Sequence, residues 1–88
     1  MNRQHQRTLL AVFEHPTRPD ARWADIEALF LAVGADVSQG RGSRVRVALR
    51  DVRAVFHRPH PRPVTDRGAV RSVADFLRAA GITDQKEG

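Results

Sequence analysis

Ser43–Pro61 reads SRVRVALRDVRAVFHRPHP. Over Ser43–Leu49 the side chains alternate. Val45, Val47 and Leu49 point one way and Arg44, Arg46 and Ala48 the other, the period of a strand with one buried face. Val52, Ala54 and Phe56 resume the pattern after Arg50-Asp51. A two-residue turn there pairs Leu49 with Val52, Val47 with Ala54 and Val45 with Phe56. That register gathers every large apolar side chain of the hairpin except Val55 on one face. It also sets Arg44 opposite His57. Arg-Asp lacks the glycine that favoured two-residue turns use, so a longer loop is the alternative. Pro59, Pro61 and Pro63 end the second strand.

Downstream, Thr65 or Asp66 is placed to cap a helix running to about Ala80. Its apolar stripe is Val70, Val73, Phe76, Leu77 and Ala80; Gly81 ends it, and Ile82 folds back onto the core. Upstream, Ala35–Ser38 reads as a short strand. Gln39–Gly42 then forms a turn whose glycines either make a tight connection or cradle a phosphate with backbone amides. Trp23, Ile26, Leu29, Phe30 and Val33 recur at helical spacing, with Gly34 as the stop and Asp20 as a candidate N-cap. Asp25 and Glu27 read as solvated charges on the outer side of this helix. A first helix spans Arg3–Glu14, with Leu9, Leu10, Val12 and Phe13 as a narrow apolar stripe. It is too small to stand alone, so it is expected to pack on the core. Pro16–Pro19 is a linker.

The resulting class is α+β: a small three-stranded antiparallel sheet with helices on one face. Residues 1–19 form an N-terminal helix and linker, 20–82 the α-β-β-β-α domain, and 83–88 a polar tail expected to fray.

The 88 residues carry a formal net charge of +5. All of the 15 basic residues except Lys86 are arginine. Such a balance favours polyanions: a nucleic acid, or an acidic protein partner. The chain has no cysteine, which excludes disulfides and thiolate metal sites and fits a reducing cytoplasm. It has neither a membrane-spanning apolar run nor a signal-peptide pattern, so a cytoplasmic protein with no membrane partner is expected. The aromatic residues Phe13, Trp23, Phe30, Phe56 and Phe76 all fall on inward positions. RNA contact would therefore rest on charge and backbone shape rather than on base stacking.

Metal-independent cleavage of RNA needs a base for the 2′-hydroxyl, an acid for the leaving 5′-oxygen, and positive charge on the phosphate. Histidine, with an ordinary pKa of about 6.5, serves as acid or base. Arginine holds phosphate oxygens through paired hydrogen bonds. His57 and His60 are the catalytic candidates. Arg41, Arg44, Arg46, Arg53 and Arg58 are the candidate nucleic-acid contacts, with Arg44 and Arg46 as the phosphate clamp. His57 and His60 stand three apart with no cysteine or carboxylate pattern nearby, so no metal or other cofactor is expected.

Several short motifs carry a family resemblance: Asp25-Ile26 through Gly34, the Gly42-Ser43 turn, the His60-Pro61 step, and Gly68-Ala69-Val70-Arg71-Ser72-Val73 leading to Ala80-Gly81-Ile82. Together they make Trp23–Ile82 resemble the HicA toxins of bacterial and archaeal HicA–HicB toxin–antitoxin systems. The resemblance implies an α-β-β-β-α fold similar to a double-stranded-RNA-binding domain, mRNA cleavage without a metal, and a HicB-like antitoxin as partner. The family usually carries its catalytic histidine directly after the Gly-Ser turn. Here that position is Arg44, to which no catalytic role transfers. The expected function is therefore a HicA-like, RNA-binding toxin acting as an mRNA endoribonuclease. The alternatives are an inactive RNA-binding module, or a protein-interaction domain whose basic face docks an acidic partner.

Overall fold

The computed structural model describes residues 1–83. The expected polar tail lies, apart from Thr83, outside the described residues. Among the described residues eight elements follow one another: α1 (Arg3–Val12), β1 (Ala21–Arg22), α2 (Trp23–Ala32), β2 (Asp36–Gln39), β3 (Arg44–Leu49), β4 (Val52–His57), β5 (Val64–Thr65) and α3 (Arg67–Ala79). β2, β3 and β4 form one antiparallel sheet in that order.

The period-2 hairpin forms in the expected register. Leu49 pairs with Val52, Val47 with Ala54, Val45 with Phe56, and Arg44 with His57. The turn is the two-residue Arg50-Asp51 one. Only its first central residue has a positive φ, 56° at Arg50, where glycine is the usual occupant. A tertiary contact accompanies this unusual choice: the Arg50 guanidinium donates to the Ala80 carbonyl at 2.5 Å, at the C-terminus of α3. There a cation complements both the unpaired carbonyl and the helix dipole. Gly81 leaves room for it. A Cβ at that position would lie 2.6 Å from the Arg50 Nη1, and its φ of 86° already favours glycine.

One face of the sheet is apolar because the alternation makes it so. Val45 and Val47 are fully buried, and Leu49 and Phe56 nearly so. α2 and α3 cover this face with Ile26, Leu29, Phe30, Val73, Phe76 and Leu77. Phe30 is the hub. It lies 5.4 Å from Phe56, 5.7 Å from Phe76 and 6.4 Å from Trp23, ring centre to ring centre. These offset and edge-on arrangements add to the burial term. α1 packs on the far side of the helices through Leu9, Val12 and Phe13, as its narrow stripe predicts. Arg78 of α3 sits over the Phe13 ring at 5.0 Å.

α3 is capped by Asp66, whose carboxylate accepts from the Ala69 amide at 2.7 Å. Three expectations need correction. Asp20 does not cap α2; the N-cap is Arg22, with no side-chain bond, and Asp20 pairs instead with Arg18 at 3.4 Å. The chain is extended here because β1 pairs with β5, Ala21 with Thr65 and Arg22 with Val64. Leu10 lies off the buried stripe and is 51% exposed. Finally, Glu27 is not a solvated charge. Its carboxylate accepts from the Trp23 indole at 2.6 Å and from the Arg58 guanidinium at 2.9 Å.

Candidate nucleic-acid interface

The face of the sheet turned away from the helices is open. Its content follows from register alone. Arg44 lies across from His57, Arg46 from Val55, and Ala48 from Arg53. On the other flank, Ser38 lies across from Arg46 and Asp36 from Ala48. Gly40 continues the row beside Arg44, its amide donating to the Arg44 carbonyl at 2.8 Å. A Cβ at Gly40 would come within 3.1 Å of the Arg44 Cβ, so glycine keeps this end of the face low.

Arg44, Arg46, Arg53 and His57 are all exposed. Among the described residues none of the three arginines makes an ion pair or a side-chain hydrogen bond to protein. Gly40, Arg41, Arg44, Arg46, Val55 and His57 line a shallow concavity of about 450 Å³. The sheet thus brings together one imidazole, three guanidinium groups and an apolar floor at Val55, which is 55% exposed. Such a surface can hold a phosphate against arginine forks with a proton acceptor beside it.

Arg58 is separated from this group. Strand parity returns it to the helix side, where its backbone amide donates to the Ser43 carbonyl at 2.8 Å. Its guanidinium donates to Glu27 and to Gln39. Gln39 in turn donates to the Gly42 carbonyl at 3.1 Å. A chain of hydrogen bonds therefore runs from Trp23 on α2 through Glu27, Arg58 and Gln39 to the β2–β3 turn. It fixes that turn, and so the rim that carries Arg41 and Arg44. His60 lies beyond β4 in the proline-bounded loop, exposed, and does not line the concavity.

Asp36 and Ser38 belong to the open face but escaped the sequence reading. Their signal was available. Once β2 is paired with β3, every second residue of Asp36–Gln39 must share the face of Arg46 and Ala48. No group of three or more histidine, aspartate or glutamate side chains is placed to hold a metal ion among the described residues. Nor, among those residues, is any helix long and apolar enough to cross a membrane.

Comparison with known proteins adds one finding. The family model described as HicA toxin of bacterial toxin–antitoxin matches residues 23–82, which leaves α1 and the linker outside the match. No curated protein and no solved structure matches the chain.

Proposed function

The chain belongs to the HicA toxin family of bacterial toxin–antitoxin systems, and from that premise we propose that its open sheet face binds RNA and cleaves it without a metal. One observation supports this above the others: His57 faces Arg44 across the β3–β4 pair, inside one concavity shared with Arg41 and Arg46.

Arg44 occupies the position where the family usually carries its catalytic histidine. A guanidinium stays protonated at all working pH values and cannot serve as a base. It can hold a phosphate, and the imidazole directly across the hairpin can take over the proton transfer. In this mechanism His57 accepts the proton of a 2′-hydroxyl, and the 2′-oxygen forms a bond to phosphorus. The bond from phosphorus to the 5′-oxygen breaks, and that oxygen leaves with a proton from water. The products are a 2′,3′-cyclic phosphate and a 5′-hydroxyl end. Arg44 and Arg46 stabilise the negative charge that gathers on the non-bridging oxygens. A HicB-like antitoxin with an acidic surface would silence the protein by covering the same face.

Incubation of the protein with end-labelled single-stranded RNA in the presence of EDTA tests this. His57→Ala is expected to slow cleavage by about 10²–10⁴-fold, the usual worth of a positioned acid–base group. His60→Ala is expected to cut at the parent rate. Cleavage by His57→Ala at the parent rate overturns the assignment. The arginine at the family's histidine position also favours a second reading, an RNA-binding toxin that does not cut. Salt-sensitive binding with intact RNA at every protein concentration would establish that one.

A further inference from the structure

The open face carries a second concavity, of about 510 Å³, beside the first. Asp36, Ser38, Ala48 and Arg53 contribute to it, and it shares Arg46 and Val55 with the concavity that holds His57. A phosphate held at Arg46 would therefore have room for one nucleoside on each side. Granting that this face holds RNA, as proposed above, we propose that the row Asp36–Ala48–Arg53 is a base-recognition subsite selective for guanine, with Asp36 as its specificity-determining residue.

The row is built like a slot. Asp36 and Arg53 are the two cross-strand partners of Ala48. They stand two strand spacings apart, about 9–10 Å. The small Ala48 side chain between them leaves a low apolar floor. Neither charged residue makes an ion pair or a side-chain hydrogen bond among the described residues. Among the described residues Asp36 is thus a carboxylate with no stabilising partner on a face dominated by arginines. On a surface that attracts a polyanion such a charge lowers affinity. Its compensating use is recognition.

Hydrogen-bond chemistry selects the base. A carboxylate is a pure acceptor with two oxygens, so it is best matched by two adjacent N–H donors. Guanine supplies them at N1 and the N2 amino group. A guanidinium fork is matched by two adjacent acceptors, which guanine supplies at O6 and N7. Adenine and cytosine set a single amino donor next to an acceptor. Uracil sets one N–H between two carbonyls. Guanine alone can satisfy both walls at once, and single-stranded RNA leaves those edges free to be read.

Equilibrium binding of short fluorescent RNAs tests the assignment: oligouridine, the same strand with one guanosine, and the same strand with inosine in its place. Inosine keeps O6, N7 and the N1 hydrogen but lacks the amino group. The parent protein is expected to prefer the guanosine strand over oligouridine by about tenfold, within the range of a good bidentate base contact. Inosine should lose most of that preference, a result that needs no variant to fold. Asp36→Asn and Asp36→Ala, with their thermal unfolding checked, should bind the guanosine and inosine strands alike, and Asp36→Ala should hold oligouridine at least as tightly as the parent does. Equal binding of the three strands by the parent would overturn the subsite while leaving RNA binding in place. A preference for guanosine over inosine that persists in Asp36→Ala, with both affinities raised by one factor, would reduce Asp36 to a background charge. Binding of none of the strands would overturn the RNA reading itself, and the subsite with it.

Discussion

Arg44, Arg46 and Arg53 share the β3–β4 hairpin with Arg50 and Arg58, yet the two sets are employed differently. The first three face solvent with no protein partner among the described residues. Arg50 donates to the Ala80 carbonyl, and Arg58 donates to Glu27 and Gln39. Residue type is the same throughout. Position relative to the pleat differs. Arg44, Arg46 and Arg53 fall on the strand positions whose side chains point away from the helices. Arg58, one residue past His57, points back toward α2 and its carboxylate. Arg50 sits in the turn, within reach of the end of α3. An arginine count therefore measures attraction to polyanions poorly; the count on the uncovered face measures it better.

The largest contrast the two faces offer is between neighbours on β4. Phe56 is 6% exposed and touches the aromatic cluster, while Val55 is 55% exposed. Phe56→Ala is expected to cost about 3–5 kcal/mol in urea unfolding, and Val55→Ala no more than about 0.5 kcal/mol. Similar losses would mean that the sheet is covered on both sides. The next effect concerns the Trp23–Glu27–Arg58–Gln39 chain. Arg58→Ala is expected to cost about 1–2 kcal/mol, as for a half-exposed, charge-assisted hydrogen-bond pair. An Arg58 variant as stable as the parent would place that side chain with the open-face arginines. The smallest effect is at the turn. Arg50→Ala should lose about 1 kcal/mol with the contact to Ala80. Arg50→Gly should be less destabilised, because glycine accepts the positive φ without strain. The reverse order of the two variants would mean that the positive φ at Arg50 carries no cost, and an Arg50→Ala variant as stable as the parent would mean that the helix-end contact contributes nothing.

The parts of the fold legible in the sequence were those with a local cause. The alternation from Arg44 to His57 set strand, register and face together, because a slip by one residue would expose Val45, Val47 and Phe56. The placement of Asp66 before α3 was likewise a local signal. What escaped depended on contacts far along the chain. Glu27 looked solvated because its partner, Arg58, stands just past the end of β4, beyond the whole sheet in sequence. Arg50 looked unsuited to a tight turn because the carbonyl it serves belongs to Ala80. β1 and β5 are two residues each and show no periodicity, so the pairing that draws Asp20 away from α2 left no trace. At the site, His57 and Arg44 were readable as partners from the register. The membership of Asp36 required knowing where β2 lies beside β3.

The claim that the open face is the working face is tested most directly by the salt dependence of RNA binding. The slope of log affinity against log salt concentration is compared among the parent, Arg44→Ala/Arg46→Ala and Arg50→Ala/Arg58→Ala. On single-stranded RNA the first pair is expected to shallow the slope by about 1.4, the value for two lost phosphate contacts. The second pair should leave the slope unchanged. An equal change in both, or a change confined to the second pair, would contradict the account.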